Sequence, residues 1–308
     1  MRTVILLLVA TLLCRIPVSA QQMDSIPSAH GYLYYHIYGA GTPVIMLTGG
    51  PGNSYLQQEE VAITLGSVYK GILLEQRGTG RSIPTPFDST TINLHNAIED
   101  VKLLLDHLHV PKAIIYGHSW GGMLAMCFAA TYPGRVKALV LASPGYYRIG
   151  NDIFAVHIAN QRARYGLAEL DQLDSLQARM TGKRANAADT MNADRLNRLT
   201  YIYDKRLLDS MLKKINAGPH YAQMRILMIN DLFRVHYDLR SYPLLARYKG
   251  PLHIISGSQD ALAFYTYELK IIHPAAQLHW IQESGHFPMF EQAKAFNDSL
   301  FTVLKQVQ

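Results

Sequence analysis

Apolar residues are distributed in two ways along this chain. Pro43 to Leu47, Gly71 to Leu74, Lys112 to Tyr116, Val136 to Ala142, Leu252 to Ser256 and Leu278 to Ile281 are short, nearly unbroken apolar runs. Runs of that kind predict strands covered on both faces. His30 to Tyr38 instead alternates aromatic and polar residues, which predicts an edge strand or hairpin. Between the runs lie helical patterns. Ile98, Val101, Leu104, Leu105 and Leu108 recur at helical spacing, Met123 to Tyr132 is apolar without a breaker, and Met289 to Gln306 is an amphipathic closing helix. Strands alternating with helices predict an α/β fold with right-handed crossovers and a mainly parallel central sheet flanked by helices. After Ser143-Pro144-Gly145 the alternation stops. Residues 146–242 carry helical signals only: Arg195-Leu196 through Leu199 and Ile202, Leu207-Leu208 through Met211-Leu212, and more loosely Tyr221 to Phe233. The predicted organisation is a core domain of residues 21–145 and 243–308 with a helical cap, 146–242, inserted into it.

The amino terminus does not belong to that pattern. Arg2 precedes the apolar run Val4 to Cys14, and Val18-Ser19-Ala20 supplies small residues, as in a secretory signal cut after Ala20. The run is too short to span a membrane. An exported protein, periplasmic or secreted, is therefore expected. Attachment as a lipoprotein through Cys14 is the weaker alternative, because bulky Leu13 stands where a small residue is needed. Removal of residues 1–20 leaves Cys127 as the sole cysteine, so the core must hold the fold without an intrachain disulfide. Cys127 lies among Met123, Leu124 and Phe128 and reads as a small buried hydrophobe. The net charge of +6 drops by the two charges of Arg2 and Arg15. The remaining basic residues are scattered, so no nucleic-acid footprint is expected. At 308 residues, 49% apolar and 17% charged, the chain suits one large globular domain with an insertion. No repeat or metal-ligand spacing occurs, and no metal or organic cofactor is expected; the oligomeric state is not encoded in any visible pattern.

Chemistry concentrates at the ends of predicted strands. Gly117-His118-Ser119-Trp120-Gly121 fits G-x-S-x-G between a strand and a helix, the arrangement that holds a serine on a sharp turn near a helix N-terminus. A serine hydroxyl needs a base, and the base needs an acid to fix its tautomer. Asp260 follows one later strand and His286 the next, in the order Ser, acid, His. All three would emerge at one sheet edge, where open α/β sheets place their ligands. Trp120, the residue after the serine, is expected to give one oxyanion donor through its N–H, and Gly50 of Thr48-Gly49-Gly50-Pro51-Gly52-Asn53 the other. In Glu75-Gln76-Arg77-Gly78-Thr79-Gly80-Arg81-Ser82 charges alternate with glycines, which predicts a tight supporting loop held by internal salt bridges.

Together these features resemble the α/β-hydrolase family over residues 30–308. Gly49-Gly50-Pro51-Gly52, Glu75 through Ser82, and Gly117-His118-Ser119-Trp120-Gly121-Gly122 resemble the prolyl aminopeptidase (proline iminopeptidase) group, whose motifs read HGGPG, DQRGxGxS and GxSWGG. Thr48 and Glu75 depart from the usual histidine and aspartate. The resemblance implies a serine peptidase that removes an N-terminal residue, often proline, from short peptides. It also implies the triad Ser119, Asp260 and His286 with oxyanion donors Gly50 and Trp120. Members of that group hold the substrate's amino group with glutamates, mainly from the cap. This cap has only Glu169, with aspartates such as Asp204, Asp231 and Asp238. A buried ammonium needs a carboxylate beside it. Either an aspartate substitutes, or the substrate has no free amine and the chain is an esterase or amidase on a small acyl substrate. A non-catalytic ligand-binding homologue is the remaining alternative. Hydrolases of this fold with an aspartate nucleophile are disfavoured by Ser119.

Overall fold

A computed structural model describes residues 21–215 and 220–307. The expected signal segment, with Cys14 and the cleavage position after Ala20, lies outside the described residues.

An eight-stranded sheet runs through the molecule in the order β1-β2-β4-β3-β5-β6-β7-β8. Its strands are β1 (Gln22–Ser28), β2 (Gly31–Tyr38), β3 (Pro43–Leu47), β4 (Lys70–Leu74), β5 (Ala113–Ser119), β6 (Val136–Pro144), β7 (Leu252–Gly257) and β8 (Gln277–Ile281). The β1–β2 and β2–β4 pairs are antiparallel, and all later pairs are parallel. β1 went unrecognised in the sequence, and it corrects the place of β2, which is one strand in from the edge. β1 is mostly exposed and contains Pro27, which an edge strand tolerates and which hides the strand signal.

The apolar runs are continuous because both sheet faces are covered. Ile45, Leu47, Ile115, Leu139, Leu141 and Ile254 enter one core; Val44, Met46, Ile114, Val140 and Ile255 enter the other. The first core is closed by α2 (Leu94–His107) and α3 (Trp120–Thr131). The second is closed by α1 (Glu59–Leu65) and the C-terminal helix. α3 is buried on nearly every side, which explains its uniform apolarity, and Cys127 is buried within it.

Between β6 and β7 the chain forms α4 (Asn151–Arg162), α5 (Leu167–Thr181), α6 (Ala187–Leu199), α7 (Leu208–Ile215) and α8 (Tyr221–Arg234). This excursion leaves and returns at one seam. The Ile149 N–H donates to Tyr237 O at 3.0 Å and the Leu239 N–H to Tyr147 O at 2.9 Å. After β7 come α9 (Ala263–Ile272), β8, α10 (Pro288–Glu291) and α11 (Ala293–Gln306). The single closing helix expected from Met289 to Gln306 is thus two helices parted at Gln292, whose amide donates to Glu283 O at 3.1 Å. The break falls beside Glu291, which accepts from the Gly285 and Tyr203 N–H groups at 2.8 and 2.7 Å. Among the described residues no helix is long and apolar enough to cross a membrane.

Candidate active site

β5 passes into α3 through Ser119, which has φ 53° and ψ −116°. A side-chain-bearing residue holds that conformation only where its surroundings enforce it. Here the enforcement is backbone contact. A Cβ on Gly121 would stand 2.2 Å from Leu47 O, and one on Gly117 would stand 2.2 Å from Gly121 O. Strand, helix and the end of β3 therefore touch with no room for side chains. The Ser119 carbonyl accepts from the Gly145 N–H at 3.0 Å, which ties the turn to the end of β6. The side chain of Ser119 remains partly exposed and makes no hydrogen bond among the described residues.

Asp260 and His286 meet. Asp260 Oδ2 accepts from His286 Nδ1 at 2.9 Å, and its Oδ1 accepts from the Leu262 N–H at 2.8 Å; both residues are buried. Burial pushes the Asp260 carboxyl up, but the imidazole and the two hydrogen bonds outweigh it and hold the group below the usual carboxylate range. With Nδ1–H on the carboxylate, Nε2 is the ring nitrogen left for proton transfer. The backbone of His286 is gripped from two sides. Its N–H donates to Tyr201 O at 2.7 Å, and its carbonyl accepts from His118 Nε2 at 3.0 Å. The residue preceding the serine is thus bonded directly to the predicted base, with ring centroids 5.1 Å apart. Burial and then the charge of His286 lower the His118 pKa to about 3, so its ring is neutral and Nε2–H is its donor. Gly285 fits here because a Cβ on it would lie 2.3 Å from Tyr201 O.

The loop after β3 lies against the serine: a Cβ on Gly49 would be 3.3 Å from Ser119 Cβ. Gln57 Oε1 takes the Gly49 N–H at 2.8 Å. The N–H groups of Gly50 (φ +118°) and Trp120 have no acceptor outside their own elements among the described residues. Gln76 joins the two parts. Its amide nitrogen donates to Thr48 O at 2.8 Å and Oγ1 at 3.0 Å, and its oxygen accepts from Trp120 Nε1 at 2.9 Å. The Glu75–Ser82 loop is supporting structure, but among the described residues no salt bridge forms within it as expected. Glu75 pairs with His36 at 2.7 Å and Arg77 grips buried Asp100 with two nitrogens, both partners lying outside the loop. Removing Asp100 would strand the buried Arg77 charge, and both contacts fix the loop from outside.

The acidic residues considered for amine binding are otherwise engaged. Glu169 pairs with Lys205 and accepts from the Gly166 N–H; Asp204 pairs with Arg206 on the surface. Asp231 pairs with Arg234 and accepts from the Leu94 N–H at 2.8 Å, and Asp238 pairs with Arg240. The structure brings none of the four into contact with His286 or Ser119. Tyr201 and His118, which it does bring against His286, and Glu291, which holds the N–H of the preceding Gly285, were not singled out in the sequence. Only His118 carried a signal, its place inside G-x-S-x-G.

Residues 42–293 match the family model of the alpha/beta hydrolase fold. The chain belongs to the α/β-hydrolase family. It is similar to a proline iminopeptidase of Heyndrickxia coagulans, 24% identical over 84% of this chain and 88% of that one. It is also similar to the 2-hydroxy-6-oxononadienedioate/2-hydroxy-6-oxononatrienedioate hydrolase of Comamonas testosteroni, 27% identical over 84% of this chain and 86% of that one. Among solved structures, the proline iminopeptidase of Mycobacterium smegmatis superposes with a TM-score of 0.72 at 17% identity, covering 93% of this chain and 98% of that one. That likeness carries the fold alone. This α/β hydrolase shares its core with proteins named for different substrates, so the substrate must be argued from its own residues.

Proposed function

We propose that this α/β hydrolase is an exported serine hydrolase that cleaves a small ester or amide through an acyl-enzyme. The observation that carries the reading is the Asp260–His286 contact, bonded through His118 to the strained turn that holds Ser119. In this mechanism His286 Nε2 takes the Ser119 proton as the hydroxyl oxygen attacks the acyl carbon. Asp260 stabilises the imidazolium that results. The Gly50 and Trp120 N–H groups hold the oxyanion, each worth roughly 3 kcal/mol of barrier. His286 then protonates the leaving alkoxide or amine, and a water activated by the same imidazole releases the acid. The substrate is a small molecule or a short peptide, without a nucleic-acid partner. Export rests on the sequence of residues 1–20, and processing after Ala20 during secretion tests it.

A second reading is an aminopeptidase releasing N-terminal residues, proline-type, from short peptides. The three motifs and the likeness to proline iminopeptidases favour it. The charge inventory does not: between residues 146 and 242 every acidic residue but exposed Asp171 is in an ion pair. Assay of p-nitrophenyl esters beside prolyl p-nitroanilide separates the two readings. Ser119→Ala should abolish turnover and labelling by a fluorophosphonate while the protein still folds. Wild-type protein inert to the phosphonate and to every ester and amide would overturn the enzymatic reading.

A further inference from the structure

A hydrogen-bonded string of three side chains lies over the catalytic imidazole and is used by no step above. His157, from α4, is buried. Its Nδ1 meets the Tyr146 hydroxyl, and its Nε2 meets the Tyr201 hydroxyl at 3.0 Å. Tyr146 follows Gly145, whose N–H is bonded to Ser119 O. Tyr201 gives its carbonyl to the His286 N–H, and its ring centroid is 5.3 Å from that of His286. The string therefore runs from the neighbour of the serine to the neighbour of the base. Both tyrosines are partly exposed, unlike the histidine between them.

The protons in this string can be counted. Burial, and then the charge of His286, lowers the His157 pKa to about 4, so the ring is neutral. A neutral imidazole has one N–H and one lone pair. One tyrosine must then donate to it and the other must accept from it. The accepting hydroxyl keeps its own proton, and neither hydroxyl has a second partner among the described residues. In the tautomer with its N–H on Nε2, 3.0 Å from the Tyr201 oxygen, the spare O–H belongs to Tyr201, the tyrosine whose ring lies 5.3 Å from that of His286. Burial raises the Tyr201 phenol well above its usual value, so it stays a neutral donor.

We infer that the Tyr201 hydroxyl, set by His157 and Tyr146, donates a hydrogen bond to an oxygen of the substrate beside the scissile acyl group. The inference rests on the serine-hydrolase reading and names its substrate class: esters or amides whose acyl part carries a second carbonyl, ether or carboxylate oxygen. The free O–H of Tyr201 calls for an acceptor atom on the substrate, which an ammonium does not supply. His157 and Tyr146 are positioning residues; Tyr201 is the one that touches substrate.

The test compares p-nitrophenyl pentanoate with p-nitrophenyl 4-oxopentanoate, methoxyacetate and hydrogen succinate, each rate divided by that ester's alkaline hydrolysis rate. The expected result is that at least one oxygenated ester exceeds the pentanoate in normalised kcat/KM by about tenfold, as one well-made hydrogen bond allows. Tyr201→Phe should erase that preference, lowering the oxygenated esters by about tenfold more than it lowers the pentanoate. His157→Leu should do the same, and His157→Gln, which keeps a donor and an acceptor, should restore part of it. If Tyr201→Phe does not fold, the two His157 variants decide. Wild type without any such preference, or variants that slow all four esters equally, would overturn the inference while sparing the hydrolase reading. Failure to turn over even the pentanoate, with no phosphonate labelling, would remove both.

Discussion

Gly121→Ala is a one-carbon test of how the turn at Ser119 is built. The added Cβ would lie 2.2 Å from Leu47 O, 2.6 Å from Leu47 C and 2.6 Å from Thr48 O. All three are backbone atoms, so no side chain can rotate away. A carbon and an oxygen need roughly 3.2 Å, so β3 and α3 must separate by about 1 Å. Leu47 pairs with Gly117 across β3 and β5, and the next residues lead to Gly50. The displacement therefore opens the distance between Ser119 and Gly50, one of the two proposed oxyanion donors. Overpacking of this kind costs about 1–3 kcal/mol of stability. A 1 Å misplacement of reacting groups can cost about 10²-fold in rate. Urea unfolding with kcat and KM on p-nitrophenyl pentanoate reads both effects. The expected outcome is a folded protein with kcat down by about two orders of magnitude and KM changed far less. A variant with wild-type kcat would show that the loop and the turn are not coupled through this contact, and the assignment of Gly50 as oxyanion donor would lose its support.

Other outcomes follow from charges held inside the fold. His157 and His118 have folded pKa values lowered to about 4 and about 3, whereas unfolded histidine titrates near 6.5. The unfolded chain thus binds more protons in that window, and stability falls as pH drops below about 6.5. His157 alone accounts for about 3 kcal/mol between pH 6.5 and 4; urea unfolding of His157→Gln should show a shallower pH dependence, and an unchanged slope would refute the argument. Asp100→Asn leaves the Arg77 guanidinium buried against a neutral group and should cost about 3–5 kcal/mol in urea unfolding, with Arg77→Met in the same chain recovering part of it. Ser119→Ala, by contrast, should change stability little and remove activity, as read by phosphonate labelling and ester turnover together.

The central strands were legible because helices cover both faces, so Val44-Ile45-Met46-Leu47 is apolar at every position. β1 was not legible because an edge strand can expose most of its residues and carry Pro27. α1 follows the polar Gln57-Gln58 pair and spans only seven residues, too few for a helical period to stand out. Asp260 and His286 could be paired from the sequence because each stands just past a strand, and parallel strands end on one edge. Glu291 was read as part of a continuous helix, since periodicity says nothing of a carboxylate that turns back onto backbone N–H groups. Tyr146, His157 and Tyr201 come from three separate segments and form no motif; only the folded chain relates them.

The same contrast bears on the substrate. Glu169, Asp204, Asp231 and Asp238 read as candidate amine ligands when only their charge is known. In the fold each faces an arginine or a lysine, and Asp231 also caps the start of α2. Recruiting one to a substrate ammonium would break an existing pair and leave its cation behind, so the exchange gains little. Exposed surface pairs are worth about 0–1 kcal/mol and can be broken cheaply, but Asp231 is buried, and freeing it would also orphan the Leu94 N–H. A hydroxyl with a spare proton beside His286 requires no such rearrangement. The two features point the same way: a substrate that meets this site with oxygen acceptors instead of a positive charge.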